Sequence, residues 1–344
     1  MDRPAPTLPA TGHAPLEIRS NPLLGSYAAT VCAIVHDEMF FLEAFLAHYR
    51  RLGADRFVLL DDASTDGTVA FLATQPDVMV VGSGIRYFEQ VSYPPEARAR
   101  IRETRAVRLW RDQMADQFCT GQWAVVVDPD EFLALPTSLP VYFAELAAEG
   151  AEAAWGVMVD MYPERVRDIL GASPAARFRL EEAWFFDAKP HLDPGQPRET
   201  PPVPRTVYPG SVSRLFATWG ILPQGTLSLR IRRRLSGYRY QAASPIHKTP
   251  ILFWRPGDWF LNCHVTSKPV APRVVPIMHF KFTTDLGRKI EYALATGGYN
   301  QGSRSYRLYA SLIERMRDRD ASFVAPVSRR YRSPRDFAGA GIAR

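Results

Sequence analysis

The sequence has few cysteines and no long apolar run, and both absences narrow the kind of protein it encodes. Only Cys32, Cys119 and Cys263 occur among 344 residues, far apart in the chain. Such spacing favours neither a disulfide framework nor a zinc-binding motif. No uninterrupted apolar stretch of about 18 residues is present, and residues 1–21 lack the basic and then apolar order of an export signal. We therefore predict a cytoplasmic protein without a membrane span.

A glycine-rich phosphate loop is also missing after the first predicted strand. Residues 28–35 form an apolar run rich in β-branched side chains, typical of a strand buried on both faces. His36, Asp37 and Glu38 follow it, where a nicotinamide-binding enzyme would carry Gly-x-Gly-x-x-Gly. A nucleotidyltransferase would usually open with a glycine-rich, basic loop at this point, so that class stays only as an alternative.

The net positive charge of the chain is concentrated at its C-terminal end. The net charge is +6, and from Arg304 onward ten arginines face four acidic residues, so the preceding residues are neutral overall. A nucleic-acid-binding protein would spread its positive charge over a folded face with interleaved aromatics, and we predict no nucleic-acid partner. Residues 301–344 are predicted as a basic tail, either simply solvated or in peripheral contact with an anionic membrane surface.

Predicted strands and helices alternate along the chain, which is typical of a doubly wound α/β fold with a mostly parallel sheet. Strands are expected over residues 28–35, 56–60, 77–81, 123–127, 153–160, 226–231, 251–254 and 274–282. Helices are expected over residues 39–52, 68–72, 96–118 and 140–148. The arginines of the helix at 96–118 are expected to be mostly solvated. Ligands of such sheets bind beyond the carboxyl ends of the strands.

Acidic clusters follow two of these predicted strands. Asp61 and Asp62 come after the strand at 56–60, and Asp128, Asp130 and Glu131 come after the strand at 123–127. A pair such as Asp128 and Asp130 cannot point into an apolar sheet, so it must face a cleft or water. Carboxylate oxygens suit Mg²⁺ or Mn²⁺, which can act as a Lewis acid on a departing diphosphate.

The first acidic cluster also has a purely structural interpretation. Asp66 and Thr68 are typical of a strand-to-helix turn, where aspartate and glycine favour the required backbone geometry. Asp61 differs, because a carboxylate directly after the strand can accept a hydrogen bond from a nucleobase or a ribose.

In order along the chain, these motifs resemble those of family 2 glycosyltransferases. The matching segments are residues 31–37, residues 59–68 with the sequence LLDDASTDGT, and residues 126–132 with the sequence VVDPDEF. A late His279-Phe280-Lys281 element is similar to a bacterial branch of the family that carries an Asp-x-Asp-Glu-Phe signature. The resemblance covers residues 28–282.

The resemblance implies a GT-A fold with a Rossmann-like nucleotide-binding half and an acceptor half. The halves are expected over residues 25–135 and 136–300, after a flexible extension over 1–24. It also implies a nucleotide-sugar donor, usually UDP-linked, an Mn²⁺ or Mg²⁺ ion, and inversion at the anomeric carbon.

Carried over by motif, the resemblance implies roles for each acidic residue of the two clusters. Asp61, together with Asp62, would bind the nucleotide of the donor. Asp128 and Asp130 would hold the metal and the donor, and Glu131 would support the loop or the sugar.

Three histidines and two lysines complete the predicted site. A late histidine often completes the metal site in GT-A enzymes, and His279 is the first candidate for it, with His264 as the competitor. Lys281 is expected to reach a donor phosphate. His247 and Lys248 are candidate phosphate or acceptor contacts, although a lone histidine is often structural.

An inverting transfer needs a general base that takes the proton of the acceptor hydroxyl. Asp160, at the end of a predicted strand, is the preferred candidate, and Asp187 is the second. A structural role in capping the next loop is an equal alternative for each.

The sequence therefore predicts a cytoplasmic, metal-dependent glycosyltransferase that acts on a glycan or a lipid-linked acceptor in surface polysaccharide biosynthesis, with peripheral contact at the inner membrane face. The alternative from another class is a catalytically silent protein of the same fold that binds carbohydrate or polyanion. Such a protein would be expected to lose acidic positions, whereas Asp61, Asp128 and Asp130 are all present.

Overall fold

The computed structural model of the chain has an α/β fold built on a mixed sheet of nine strands. It describes residues 13–98, 101, 103–171, 173, 175–189, 192–193, 205–206, 208–221, 245–268 and 270–343. The α/β class predicted from the sequence is confirmed. The strand predicted at 226–231 lies outside the described residues. Within the described part of the chain, no helix has the length and the apolar character that crossing a bilayer requires.

The strands and helices have the following bounds. The strands are β1 (Glu17–Ser20), β2 (Thr30–Val35), β3 (Arg56–Asp61), β4 (Val78–Gly82), β5 (Trp123–Val126), β6 (Glu131–Leu133), β7 (Ala153–Asp160), β8 (Phe185–Asp187), β9 (Leu192–Asp193), β10 (Arg205–Thr206), β11 (His247–Phe253), β12 (Phe260–Asn262), β13 (Val265–Thr266), β14 (Ala271–His279) and β15 (Ser328–Arg330). The helices are α1 (Met39–Arg51), α2 (Thr68–Ala73), α3 (Pro95–Arg98), α4 (Ala106–Phe118), α5 (Leu139–Ala148), α6 (Gly210–Thr218), α7 (Leu286–Thr296), α8 (Asn300–Arg317) and α9 (Arg335–Gly339), with a 3₁₀ turn at Val166–Ile169.

The parallel part of the sheet contains a reversal of strand order. The order across the nine strands is β1-β4-β3-β2-β5-β11-β7-β14-β6, and the β4–β3, β3–β2 and β2–β5 pairs are parallel. The chain runs outward from β2 to β4 and then returns to place β5 on the other side of β2. Open α/β sheets bind ligands outside the carboxyl ends of the strands at such a switch point.

The described chain divides into two compact units. Unit 1 comprises Met1–Gly156, Gln196–Val203 and Lys248–Pro272, and unit 2 comprises Val157–Gly195, Pro204–His247 and Arg273–Arg344. The division predicted between residues 135 and 136 therefore falls inside unit 1. The division predicted between residues 300 and 301 falls inside unit 2.

Unit 2 has a core that includes much of the segment predicted as a solvated tail. Leu312, Met316, Phe323 and Phe337 are fully buried, and β15 pairs antiparallel with β8. The prediction of a tail over residues 301–344 was wrong. The many arginines of this segment are typical of a solvated tail, but the segment contains an amphipathic helix and two buried aromatic side chains.

Two further elements differ from the prediction. Within the extension predicted at 1–24, β1 pairs antiparallel with β4. The single helix predicted at 96–118 is instead α3 and α4. The break arises because Thr104 and Ala106 bond to another segment, with the Val91 amide donating to the Thr104 carbonyl at 2.7 Å and the Ala106 amide donating to the Glu89 carbonyl at 2.8 Å.

Candidate active site

The second acidic cluster forms a tight turn in unit 1, directly after β5. The Asp128 amide donates to Oε2 of Glu131 at 2.8 Å, and the Glu131 amide donates to the Asp128 carbonyl at 2.9 Å. The Val127 amide donates to the Cys32 carbonyl of β2 at 3.1 Å. These bonds hold Asp128 at the carboxyl end of β5, beside β2 and therefore at the switch point.

Two buried cations hold the Asp128 carboxylate. Nη2 of Arg111 lies 2.7 Å from Oδ1, and Nζ of Lys248 lies 3.1 Å from Oδ2. Lys248 also contacts Oε2 of Glu131 at 2.5 Å. The Lys248 and Arg111 side chains are 1% and 4% exposed, whereas the Asp128 side chain is 40% exposed. Asp128 is therefore the most exposed member of the cluster, since Asp130 and Glu131 are 7% and 2% exposed.

The charge state of Asp128 follows from these neighbours. Burial opposes its ionisation, but Lys248 and Arg111 outweigh that effect and hold the pKa of the Asp128 carboxyl well below its usual range. Asp128 is consequently ionised at neutral pH. The sequence predicted Lys248 as a phosphate or acceptor contact, but it did not predict that Lys248 and Arg111 bind Asp128, since they lie 120 and 17 residues from it in the chain.

The expectation that the arginines of residues 96–118 are solvated was wrong for two of them. Arg111 is 4% exposed and Arg108 is fully buried. The Arg108 guanidinium donates to Asp112 at 2.5 Å and to the Phe260 carbonyl at 2.5 Å. Helix α4 therefore presents two of its arginines to the interior of unit 1.

Helix α1 supports the acidic turn through hydrogen bonds to the backbone of β6. The Tyr49 hydroxyl donates to the Glu131 carbonyl at 2.9 Å and accepts from the Leu133 amide at 3.2 Å. Nε2 of His48 lies 2.9 Å from the Leu133 carbonyl oxygen. Burial lowers the pKa of His48 to about 4, so the imidazole is neutral in the folded protein at pH 7.

His264 lies beside Cys263 and stays a predicted metal ligand. Burial disfavours its charged form, but the adjacent Cys263 outweighs this effect and raises the pKa of His264. The Cys263 carbonyl also accepts from Nη1 of Arg111 at 2.5 Å, which ties this segment to the residues around Asp128.

The composition of the site nevertheless fits a divalent ion. Each carboxylate oxygen has two lone pairs, so Asp128 can accept from Arg111 and Lys248 and still bind a cation. One or two carboxylates plus substrate phosphates are a usual ligand set for Mg²⁺, and Asp130 is the second carboxylate. Within the described residues, no group of three or more His, Cys, Asp or Glu is arranged to hold a metal, and the roles of His264 and His279 as ligands stay predictions.

The first acidic cluster is more enclosed than the second. Asp61 is 4% exposed, and its carboxylate accepts from the Ser64 amide at 3.1 Å and from Nη1 of Arg19 at 3.3 Å. Asp62 is equally buried and accepts from Nε of Arg86 at 2.7 Å. The Arg19 side chain, which is 40% exposed, occupies the Asp61 carboxylate. A nucleotide could bind Asp61 once Arg19 has moved away.

Hydrogen bonds connect the turns that follow β2 and β3. Asp37 and Ala63 both have positive φ angles, of 53° and 52°, which is unusual for residues with side chains and common near functional sites. Oδ1 of Asp37 accepts from the Thr65 amide at 2.5 Å, and Oδ2 of Asp66 accepts from the Met39 amide at 3.0 Å. The structural interpretation of Asp66 is therefore confirmed.

Unit 2 pairs two of the predicted site residues with each other. Nδ1 of His279 lies 3.2 Å from Oδ1 of Asp160, and the Val212 amide donates to Oδ2 of Asp160 at 3.1 Å. The side chains of His279 and Asp160 are 14% and 8% exposed. A carboxylate that orients an imidazole is an arrangement typical of general bases. The sequence predicted Asp160 as the general base and His279 as a metal ligand, and it did not predict that they pair.

Asp187 has a structural role in unit 2. It is fully buried and accepts four hydrogen bonds, from the hydroxyls of Tyr162 and Tyr208 at 2.5 and 3.0 Å and from two nitrogens of Arg214 at 2.8 and 3.0 Å. An acceptor hydroxyl cannot approach a carboxylate enclosed in this way. Asp187 is therefore no longer a candidate base.

The remaining predicted residues also lie in unit 2. His247 begins β11, Lys281 lies just beyond the end of β14, and both are half-buried. Their contacts with a donor stay predictions.

Comparisons with known proteins add no family to this description. No family model matches the chain, and no curated protein matches it.

Proposed function

We propose that the chain is a metal-dependent glycosyltransferase of the GT-A type, which transfers a sugar from a nucleotide diphosphate donor, most naturally a UDP-sugar. The observation that carries the proposal is the exposed, ionised Asp128 at the switch point of the parallel sheet. The order of motifs in the sequence, similar to that of family 2 glycosyltransferases, supports the same function.

Lys248 and Arg111 support the proposal through their charge. Both cations are buried beside Asp128, and Asp128 and Glu131 offset them when ionised. An arriving diphosphate adds negative charge that must be compensated, and the divalent ion would provide that compensation, since the two cations already balance Asp128 and Glu131. The two cations also hold Asp128 in a single orientation before the donor binds.

Asp128 and Asp130 would hold the Mn²⁺ or Mg²⁺ ion. When bound, the ion supplies Lewis-acid stabilisation of the negative charge that develops on the departing diphosphate. Asp61 and Asp62 would contact the nucleotide after Arg19 has moved aside. Glu131 keeps the turn in shape, since its carboxylate accepts from the Asp128 amide and from Lys248.

His279 and Asp160 are proposed as the base system of unit 2. In the tautomer whose Nδ1–H donates to Asp160, the imidazole carries its lone pair on Nε2. Nε2 of His279 then accepts the proton of the acceptor hydroxyl, while Asp160 stabilises the imidazolium that forms. Direct attack by that hydroxyl inverts the configuration at the anomeric carbon.

The proposed acceptor is a growing glycan or a lipid-linked sugar in surface polysaccharide synthesis, at the cytoplasmic face of the inner membrane. This part of the proposal rests on the family resemblance. It implies peripheral contact with the membrane through exposed arginines of the C-terminal segment, such as Arg329 and Arg330.

A donor-turnover assay tests the proposed function. UDP release from a panel of UDP-sugars is measured with Mn²⁺ and with a chelator, for the native protein and for Asp128→Asn. We expect metal-dependent release from at least one donor and a loss of about 100-fold or more in Asp128→Asn. Asp318→Asn is the matched control, because Asp318 is 66% exposed in unit 2. If no nucleotide sugar is turned over or bound, the carbohydrate-binding alternative is favoured.

A further inference from the structure

Unit 2 contains a cavity that the proposed reaction does not use. Its volume is about 350 Å³, and residues of its lining include Lys189, Tyr208, Arg214, Trp219 and Ser322. This volume is at the lower end of the range for pockets that bind small molecules. The lining combines two cationic side chains with two aromatic side chains.

Arg214 contributes a buried cation with one nitrogen that makes no hydrogen bond to the described residues. The residue is 5% exposed. Nε and Nη2 donate to Asp187 at 2.8 and 3.0 Å, and Nη2 also donates to the Phe323 carbonyl at 3.0 Å. Within the part of the chain that the structure describes, Nη1 donates to no acceptor. Nη1 is not among the fully buried atoms that lack a hydrogen bond, so a ligand in the cavity can reach it, and as a charged donor it favours a ligand that accepts a hydrogen bond.

Lys189 adds an exposed cation to the same lining. Its Nζ lies 5.5 Å from the centre of the Tyr208 ring. Among the described residues, no carboxylate lies within ion-pair distance of Lys189. The Asp187 carboxylate is already bound on both oxygens by Arg214, so it does not offset the lysine. The cavity therefore carries a net positive charge.

The aromatic side chains give the cavity an apolar surface as well. Tyr208 and Trp219 line it together with Val324 and Val327, and the Arg319 guanidinium lies 5.7 Å from the Trp219 ring. Flat aromatic rings pack against the C–H faces of a sugar ring, whereas a small inorganic anion gains nothing from them. The Ser322 hydroxyl adds a polar group to the same lining.

We propose that this cavity binds an anionic sugar, with the carboxylate of a hexuronate or the phosphate of a sugar phosphate placed between Lys189 and Nη1 of Arg214. The inference deepens the proposed function and rests on it in one respect, because an acidic sugar bound here would be part of the acceptor. The binding itself is independent of the donor site.

Calorimetric titration of the full-length chain tests the proposal. The probes are methyl glucuronide, glucose 6-phosphate, methyl glucoside and inorganic phosphate. We expect one of the two anionic sugars to bind more tightly than methyl glucoside and inorganic phosphate, and which one binds identifies the acid group. In Lys189→Gln we expect that affinity to fall by about tenfold or more, the cost of losing a charge-assisted hydrogen bond. Arg317→Gln, which changes a 59% exposed arginine elsewhere in unit 2, is the matched control.

Three results would overturn the proposal. They are binding of neither anionic sugar, equal binding of inorganic phosphate and glucose 6-phosphate, and equal affinity in Lys189→Gln and the native chain. Because Lys189 is exposed, its replacement leaves the fold intact. Titration of UDP in the same samples separates the two hypotheses: UDP binding without acidic-sugar binding contradicts this inference alone, and the reverse result contradicts the proposed function alone.

Discussion

Lys248 shows how much one buried charge contributes to this site. Its ammonium contacts carboxylates of both Asp128 and Glu131 while its own side chain is 1% exposed. Glu131 is 2% exposed, so water cannot replace the lysine as its partner. Removal of one partner from a buried ion pair leaves an uncompensated charge, which is far more costly than removal of both.

We expect Lys248→Met to lower the free energy of unfolding by about 3–5 kcal/mol, because it leaves the Glu131 carboxylate buried without its cation. Urea unfolding monitored by circular dichroism measures this loss. The double variant Lys248→Met with Glu131→Gln should recover part of the stability, since neither charge is then buried alone. A loss below about 1 kcal/mol in the single variant would mean that the ion pair has little structural importance.

His279 and Asp187 should respond differently to replacement, since one is proposed as a base and the other is structural. We expect His279→Gln to lower the transfer rate by about 10²–10⁴-fold with unchanged UDP affinity. Asp187→Asn should instead lower the stability of unit 2 by about 3–5 kcal/mol, because Arg214 loses its buried partner. Single-turnover transfer and urea unfolding distinguish the two effects. A His279→Gln variant with the native rate would exclude His279 as the base.

Among the elements, α1 supports the acidic turn. His48 and Tyr49 lie on its buried face and bond to the backbone of β6. Burial disfavours the charged form of the His48 imidazole and outweighs the bond to the Leu133 carbonyl, which favours that form. Protonation of His48 in the unfolded chain therefore opposes folding at low pH.

This link between His48 and pH has a definite sign. The pKa of His48 is about 4 in the folded protein and about 6.5 in the unfolded chain, so between these values the unfolded chain binds more protons. The contribution of His48 to the free energy of unfolding is therefore fully present above about pH 6.5. It falls by about 3 kcal/mol in total as the pH drops toward 4. Urea unfolding at pH 5, 6 and 7 should show this slope in the native protein and a smaller slope in His48→Gln. Identical slopes would contradict the assignment.

Elements whose sequence signal is local were predictable, and those that depend on distant partners were not. Strands β2, β3, β5 and β7 follow from continuous apolar runs, because a strand buried on both faces needs little else. The single helix predicted at 96–118 failed, since residues 104–106 bond to residues 89–91 instead of continuing a helix. Propensity cannot anticipate such a tertiary hydrogen bond.

The same distinction applies to the site. Asp128 was predictable because the end of a strand and an acidic motif are both local signals. Its cations were not, since Lys248 comes from β11 and Arg111 from a helix whose arginines appear solvated in the sequence. The pairing of His279 with Asp160 joins residues 119 apart in the chain. Candidate residues could be named from the motifs, whereas the partner of each group required the fold.

At the scale of the whole molecule, the C-terminal segment is part of the fold. Phe323 and Phe337 are fully buried, and the core of unit 2 also includes Leu312 and Met316 of α8. Replacement of one core phenylalanine by alanine typically costs about 3–5 kcal/mol. A segment that contributes two such residues cannot be a dispensable, solvated extension.

We expect deletion of residues 318–344 to unfold unit 2, because it removes Phe323, Phe337 and strand β15. Hydrogen exchange of peptides that cover the Val166–Ile169 turn would then lose its protection. The matched control is Arg329→Gln with Arg330→Gln, which removes two exposed charges and leaves the core intact. Native protection in the truncated chain would restore the interpretation of this segment as a solvated tail.

The proposal for the whole molecule depends on a nucleotide diphosphate that binds beside Asp128. Calorimetric titration with UDP, in Mn²⁺ and in a chelator, measures this directly for the native chain, Asp128→Asn and the control Asp318→Asn. We expect metal-dependent binding in the native chain and the control, and an affinity at least about tenfold lower in Asp128→Asn. Absence of UDP binding in the native chain, or equal binding in Asp128→Asn, would contradict the assignment of this turn as the donor site.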